Sequence, residues 1–166
     1  MKRCGLYTLL IFTIGLLLPL GLRAQEQLPI SQAIDNLTVK YQNTEGVNCI
    51  NLTKGEGLGI VKLAMRKYLS AKLLRDITQI AIIEYSAAPS DLVDDMRNDL
   101  NTHFAQMQLL KEEINEEGQK MRCLINCDDS TSDITDLFLS IESDKYRCCV
   151  YMHGIMSREL FADATD

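Results

Sequence analysis

Three side chains that can do nucleophilic chemistry lie close together near the end of the chain, at Cys148, Cys149 and His153. A thiol beside an imidazole base is the pair that cysteine hydrolases use, and such partners meet in space rather than in sequence. The residues therefore raise the hypothesis of a ligand- or metal-using protein with weak hydrolase activity, built on these three residues and nearby acids. The bland interpretation, which we favour, is that the cysteines are small buried hydrophobes.

The spacing of the cysteines gives little support to a redox or zinc site. Cys123 and Cys127 fall on one face of a predicted strand, where four residues span roughly 13 Å, whereas a disulfide requires Cα atoms within ~7 Å. The neighbours Cys148 and Cys149 point to opposite faces of their strand. With Cys49, five cysteines follow the first two dozen residues, so at least one thiol is free or pairs outside the chain. One cross-strand disulfide remains an alternative.

Four aspartates offer oxygen ligands for calcium, at Asp128, Asp129, Asp133 and Asp136. The central glycine and closing glutamate of an EF-hand are absent from this segment. We interpret it as a solvated turn.

The segment 54–59 reads KGEGLG, between a predicted strand and a predicted helix. Glycines there would let a phosphate approach the backbone at the helix N-terminus. However, Ile60 stands where the dinucleotide fingerprint needs its third glycine, and the P-loop ending is missing. The glycines are better explained as shaping the turn. His103, the other histidine, belongs to no catalytic pattern, so we predict no cofactor and no metal.

The charges of the chain are unevenly distributed. Lys and Arg number 17 against 23 Asp and Glu, a net charge of −6, which argues against nucleic acid as a partner. Residues 54–75 nevertheless carry six basic side chains against one acid. Lys62, Arg66 and Lys67 lie outside the apolar stripe of the helix predicted there, and a basic face on an acidic body can dock an anionic partner. A solvated helix face is the alternative.

Residues 1–24 have the order of a secretory signal peptide. Lys2 and Arg3 precede an apolar stretch, and small residues lead to a cleavage site between Ala24 and Gln25. The apolar stretch of about 15 residues is shorter than the ~20 that a membrane span requires. We expect a cleaved, exported protein in the periplasm or outside the cell, with no stable membrane span. Cleavage would leave 14 basic and 23 acidic residues, a net charge of −9.

Hydrophobic periodicity then predicts the elements that must position these residues. The predicted helices cover 31–42, 57–74 and 90–104, and the predicted strands cover 47–53, 77–85, 106–114, 120–127, 134–142 and 146–155. Short polar turns between the last four strands predict a β-meander. The apolar run 77–85 predicts a central strand covered on both faces. The fold class is α+β, a single domain over 25–166, with helices packed on one face of a mixed, mostly antiparallel sheet.

The pattern resembles a family of small exported bacterial proteins that carries only a domain-of-unknown-function label. The resemblance runs from Val47 through the GIVKLAM helix and the IAIIEY strand to the CVYMHGIM strand, with Met65 and Gly154 in the corresponding places. The KGEGLG segment and the cysteine content depart from it. The resemblance implies a location in the bacterial cell envelope and supplies no catalytic residues. We therefore expect a non-enzymatic module that binds a protein partner there.

Overall fold

The computed structural model describes residues 28–66 and 69–157. The helices are α1 (Ile30–Tyr41), α2 (Glu56–Met65), α3 (Ala71–Arg75) and α4 (Ser90–Phe104). The strands are β1 (Asn48–Leu52), β2 (Ile77–Glu84), β3 (Gln108–Ile114), β4 (Lys120–Cys127), β5 (Ile134–Glu142) and β6 (Arg147–Met156). The protein is α+β, as predicted.

The six strands form one open sheet in the order β1-β2-β6-β5-β4-β3. All five pairings are antiparallel, so the prediction of a mixed sheet is wrong. The four last strands are joined by short turns and pair in sequence, and this meander was predicted. The strand β2 joins the far side of β6, which leaves β1 and β3 as the two edges.

Side chains from two helices pack on each face of the sheet, so the prediction of helices on one face is not confirmed. On the first face, α1 and α4 cover the inward side chains of β2, including Ala81 and Ile83. On the second face, Leu58 of α2 and Leu73 of α3 pack with Ile80. The physical reason lies in β2, whose apolar side chains point both ways and must be removed from water on both faces.

The single helix predicted over 57–74 is two helices, α2 and α3. Ser70 begins the second one, because its side chain accepts a hydrogen bond from the backbone N–H of Leu73 at 3.2 Å. A serine in this position satisfies an otherwise unpaired N–H of the first turn. The predicted apolar stripe nevertheless continues from α2 to α3, since Leu58, Val61 and Leu73 all pack in the cluster on the second face.

Gly154 of β6 lies against the backbone that enters β2. A Cβ atom there would stand 2.3 Å from the carbonyl oxygen of Asp76, and the φ angle is +149°. The backbone N–H of Ile155 donates to that carbonyl at 3.3 Å. Only glycine permits this approach, so the residue fixes how β2 begins beside β6.

Candidate functional site

A cleft of about 230 Å³ opens between α4 and the strands β4 and β5, on the first face of the sheet. The residues that line it are Arg97, Leu100, Asn101, Phe104, Ala105, Met107, Lys120, Arg122, Leu124, Phe138, Ser140 and Glu142. Pockets for drug-sized ligands measure roughly 300–1,000 Å³. This cleft therefore suits a smaller molecule, of about one ring and a short chain.

The floor of the cleft is apolar and packed into the core. The rings of Phe104 and Phe138 stack with centroids 4.1 Å apart, and both side chains are buried. Leu100, Met107 and Leu124 complete the same core cluster. A stacked aromatic pair holds a fixed surface, so the floor offers a preformed apolar contact.

One wall of the cleft is formed by the ion pair between Arg97 and Glu142. Nε and Nη2 of Arg97 donate to Oε2 of Glu142 at 3.2 and 3.0 Å, and the hydroxyl of Tyr85 donates to Oε1 at 2.8 Å. These bonds join α4 to β5 and to the end of β2. Because Glu142 accepts from both sides, Arg97 is held in place and its charge is largely offset.

The opposite wall carries two cationic side chains, Arg122 and Lys120, that make only weak hydrogen bonds and ion pairs. Arg122 donates from Nη1 to Asn101 at 3.3 Å, while its buried Nε has no hydrogen-bond partner and lies 3.9 Å from Glu112. Lys120 lies 3.2 Å from the same carboxylate. One carboxylate between two cations leaves positive charge at the wall. A guanidinium with unused donors matches a planar carboxylate.

This site was not predicted from the sequence. Lys120, Arg122 and Leu124 alternate along β4 on one face, and Leu124 is buried in the core. Two cations on the core-facing side of a strand are the signal that would have indicated a lined cleft. Their partner across the cleft, Arg97, lies on a helix more than twenty residues earlier, and nothing local in the sequence connects them.

A row of polar side chains crosses the other end of the same face. It runs over five strands through Asn51, Gln79, His153, Asp136 and Asn126. Gln79 donates to Asn51 at 3.0 Å, and the other members are neighbours in the strand register. Asp35 of α1 covers one end of the row. Its Oδ1 accepts from Asn51 at 2.6 Å and from Gln79 at 2.8 Å.

The central member of the row is the buried carboxylate of Asp136. Oδ1 accepts from Tyr151 at 2.6 Å and lies 2.8 Å from Nδ1 of His153. Oδ2 accepts from Asn126 at 3.1 Å and from Thr135 at 3.0 Å. Burial acts to raise the pKa of Asp136, but these hydrogen bonds outweigh it and hold the pKa below the ordinary value. An ionised carboxylate only accepts, so Nδ1 of His153 carries a proton toward Oδ1.

The structure does not bring His153 together with either cysteine. Cys149 lies on the same face, but four residues along a strand separate the two by roughly 13 Å, and its Sγ is 4.0 Å from the hydroxyl of Tyr85. Cys148 contributes to the opposite face. Burial raises the pKa of both thiols, which disfavours the thiolate that a nucleophile needs. No thiol or hydroxyl side chain hydrogen-bonds to the ring of His153 within residues 28–66 and 69–157.

The remaining cysteines also stay apart. All five cysteines of the described segments are free thiols. Cys149 is almost fully buried and Cys123 half-buried, and burial raises the pKa of Cys123 to about 11. Cys148 and Cys149 are buried, as the sequence favoured, whereas Cys49, Cys123 and Cys127 are partly buried.

The predicted basic face is described only in part. Lys62 lies on α2 and donates to the carbonyl of Arg75 at 3.1 Å, and Arg66 directly follows the helix. Lys67 lies outside the described residues. Two apolar side chains accompany them on α2, since Ile60 is 68% and Leu63 is 63% exposed.

The aspartate cluster is divided between a turn and the sheet. Asp128 accepts from the backbone N–H groups of Ser130 and Thr131 at 2.7 and 3.1 Å, so it closes its own turn, whereas Asp136 belongs to the polar row. Over the part of the chain that the structure covers, no group of three or more His, Cys, Asp or Glu residues is placed to hold a metal ion.

The glycine-rich segment serves as a helix entrance. Gly55 precedes α2 with a φ angle of +86°, and Gly57 and Gly59 lie inside the helix. Residues 1–24 and the expected cleavage site at Ala24 and Gln25 lie outside the described residues. None of the helices that are described is long and apolar enough to cross a membrane.

Comparison of the chain with known protein families, with curated protein sequences and with solved structures gives no match. The resemblance to the family of exported bacterial proteins therefore stays a prediction.

Proposed function

We propose that this protein is a non-enzymatic binding module of the bacterial cell envelope that holds a small amphipathic carboxylate in the cleft between α4 and β4–β5. The observation that carries the proposal is the under-used guanidinium of Arg122 above an apolar floor. A single molecule with a carboxylate head and one ring would pair with the guanidinium and pack on the apolar floor.

The charge of the cleft supports an anionic ligand. Arg97, Lys120 and Arg122 stand against one lining acid, Glu142, although the whole chain has a net charge of −6. Arg122 is the natural anchor, because its fork can donate two parallel hydrogen bonds to a carboxylate. The stacked rings of Phe104 and Phe138 would then receive the apolar part.

The absence of a matched catalytic set supports binding over catalysis. His153 has a carboxylate partner but no nucleophile beside it in the described segments, and it lies at the other end of the face from the cleft. The hydrolase hypothesis built on Cys148 or Cys149 and His153 has no geometric support.

The test uses 3-phenylpropionate as the probe and 3-phenylpropanol as its neutral counterpart. We expect the acid to bind, with shifts of the NMR signals of Arg122 and Phe138, and the alcohol to bind at least tenfold more weakly. Arg122→Met keeps the apolar stem and should weaken binding of the acid by about 10- to 100-fold, since hydrogen bonds to charged groups contribute ~1.5–3 kcal/mol. Arg66→Met, outside the cleft, is the matched control. Equal affinity of the Arg122→Met variant for the acid would overturn the proposal.

A second candidate is docking of an acidic protein partner on the outer face of α2. It is favoured by the exposed side chains of Ile60 and Leu63 beside Lys62 and Arg66, a mixture of apolar area and positive charge typical of interfaces. In-cell cross-linking of the exported protein tests it. The double reversal Lys62→Glu with Arg66→Glu should abolish capture of the partner, whereas Lys72→Glu on α3 should not. Unchanged capture by the double variant contradicts this candidate.

Export and signal cleavage are tested by a separate experiment. N-terminal sequencing of protein from the periplasmic fraction should begin at Gln25, because the small residue Ala24 ends the signal pattern. Protein recovered only from the cytoplasm with Lys2 and Arg3 retained would contradict it.

A further inference from the structure

The strand β3 is an open edge that is exposed along its whole length. All seven residues from Gln108 to Ile114 are exposed, and β3 pairs on one side only, with β4. Exposed fractions are 50% for Leu109, 39% for Leu110 and 72% for Ile114. An unpaired edge with apolar side chains and no proline is a template for another strand.

The two edges of the sheet are not equivalent. The opposite edge, β1, has five residues, and Asn51 of that strand is hydrogen-bonded to Asp35 of α1. On β3 the charges Lys111, Glu112 and Glu113 stand in the middle of the strand. Charges on an edge block most partners, so any strand that adds here must match them.

The charge order of β3 matches a second copy of itself. Two antiparallel copies related by a twofold axis perpendicular to the sheet keep each face on the same side, so the axis must pass through a residue pair. With the axis at Glu112, Lys111 stands opposite the partner's Glu113, and Glu113 opposite the partner's Lys111. The match extends over residues 111–113, because the register of β3 against β4 shifts between Leu109 and Lys111.

The charged side chains of β3 already point to the faces that this register requires. Lys111 and Glu113 share a face, since their side chains form an ion pair at 2.9 Å along the strand. Glu112 points to the other face, where Lys120 at 3.2 Å and Arg122 at 3.9 Å offset its charge, so the two glutamates at the axis are compensated. The neighbouring register, with the axis at Lys111, would set two lysines against each other.

We propose that β3 pairs with β3 of a second copy, in the register that sets Lys111 opposite the partner's Glu113, to form a continuous antiparallel sheet of twelve strands. The contact is isologous and closes on itself, so it yields a dimer. It rests on the edge strand, and it shares with the cleft only Lys120 and Arg122, the two cations that pair with Glu112.

Sedimentation of the purified protein over a range of concentrations tests the proposal. The wild type should form a dimer. Lys111→Glu and Glu113→Lys should each weaken the dimer at least about tenfold, because like charges directly opposite are unfavourable at two symmetric positions. An equimolar mixture of the two variants should form a heterodimer, and the double variant K111E/E113K should recover dimerisation to within about threefold. Lys72→Glu is the control for an unrelated reversal.

The mixture separates this register from any other contact. A dimer that Lys111→Glu leaves unchanged, or variants that stay monomeric when mixed, would overturn the proposal. So would a wild-type protein that sediments only as a monomer at millimolar concentration. Circular dichroism of each variant confirms that the reversals, which lie on an exposed strand, leave the fold intact.

Discussion

His153 and Asp136 lie opposite one another on β6 and β5, with Nδ1 of the imidazole 2.8 Å from Oδ1 of the carboxylate. The two side chains differ sharply in environment, since that of His153 is 40% exposed and that of Asp136 only 7%. A buried carboxylate is tolerated only when hydrogen bonds replace its water. His153 is thus one of the groups that permit a negative charge inside this sheet.

Replacement of Asp136 with Asn should destabilise the protein by on the order of 2 kcal/mol, the scale of hydrogen bonds to a charged group. The amide removes the charge and presents its own N–H groups to donors. Urea unfolding measures the change, with Asp129→Asn as the control, because Asp129 is exposed in a turn. Equal losses in the two variants would show that the network around Asp136 contributes nothing specific.

The same carboxylate should make stability depend on acid pH. The pKa of Asp136 is lower in the folded protein than its ordinary value of 3.8, so the folded state favours the ionised form. Its contribution is therefore complete above that ordinary value and is lost as the pH falls through the folded pKa. Wild type should lose more stability than Asp136→Asn between about pH 6 and about pH 2 in urea titrations. Parallel losses would contradict the assignment.

Two glycine substitutions should have opposite signs. Gly154→Ala places a Cβ 2.3 Å from a backbone oxygen at a φ angle of +149°, and we expect a loss above about 2 kcal/mol. Gly59→Ala lies in α2 with no atom within 4 Å of the new Cβ, and should stabilise by ~0.5–1 kcal/mol. Thermal unfolding of both variants provides the comparison, and a neutral Gly154→Ala would mean that β6 shifts freely.

The state of the cysteine thiols in the folded protein can be tested with reductant and by alkylation. Since Cys49, Cys123, Cys127, Cys148 and Cys149 are free, reductant should leave the melting temperature unchanged. Cys149 should resist alkylation at about pH 8 until the protein is unfolded, because burial raises its pKa. Mass spectrometry after iodoacetamide treatment reports this. A drop in melting temperature with reductant would instead reveal a disulfide.

The sequence predicted the elements better than their arrangement. The apolar run 77–85 correctly indicated an interior strand with both faces covered, because that pattern is local. The same run also required helices on both faces, which the prediction of a one-sided packing overlooked. The start of α3 is marked by one capping hydrogen bond at Ser70. A single serine is too weak a sequence signal to predict two helices where the apolar stripe is continuous.

The site was harder to predict, because strand register and helix docking create it. Asp136 was considered as a calcium ligand and His153 as a partner of cysteine, and neither role was favoured. The strand register instead places the two residues side by side. Arg122 carries no motif at all, and its role follows from the docking of α4 against β4.

The strand order also decides when parts of the protein assemble. β3 to β6 pair through short turns, whereas Ile80 of β2 must find Met152 of β6 across most of the domain. Closing a long loop is entropically costly and slows folding. We therefore expect the meander to form early and the β1–β2 strand pair to dock last. Until β2 docks, the edge of β6 that it will occupy is unpaired. A non-native strand would compete with β2 for that edge.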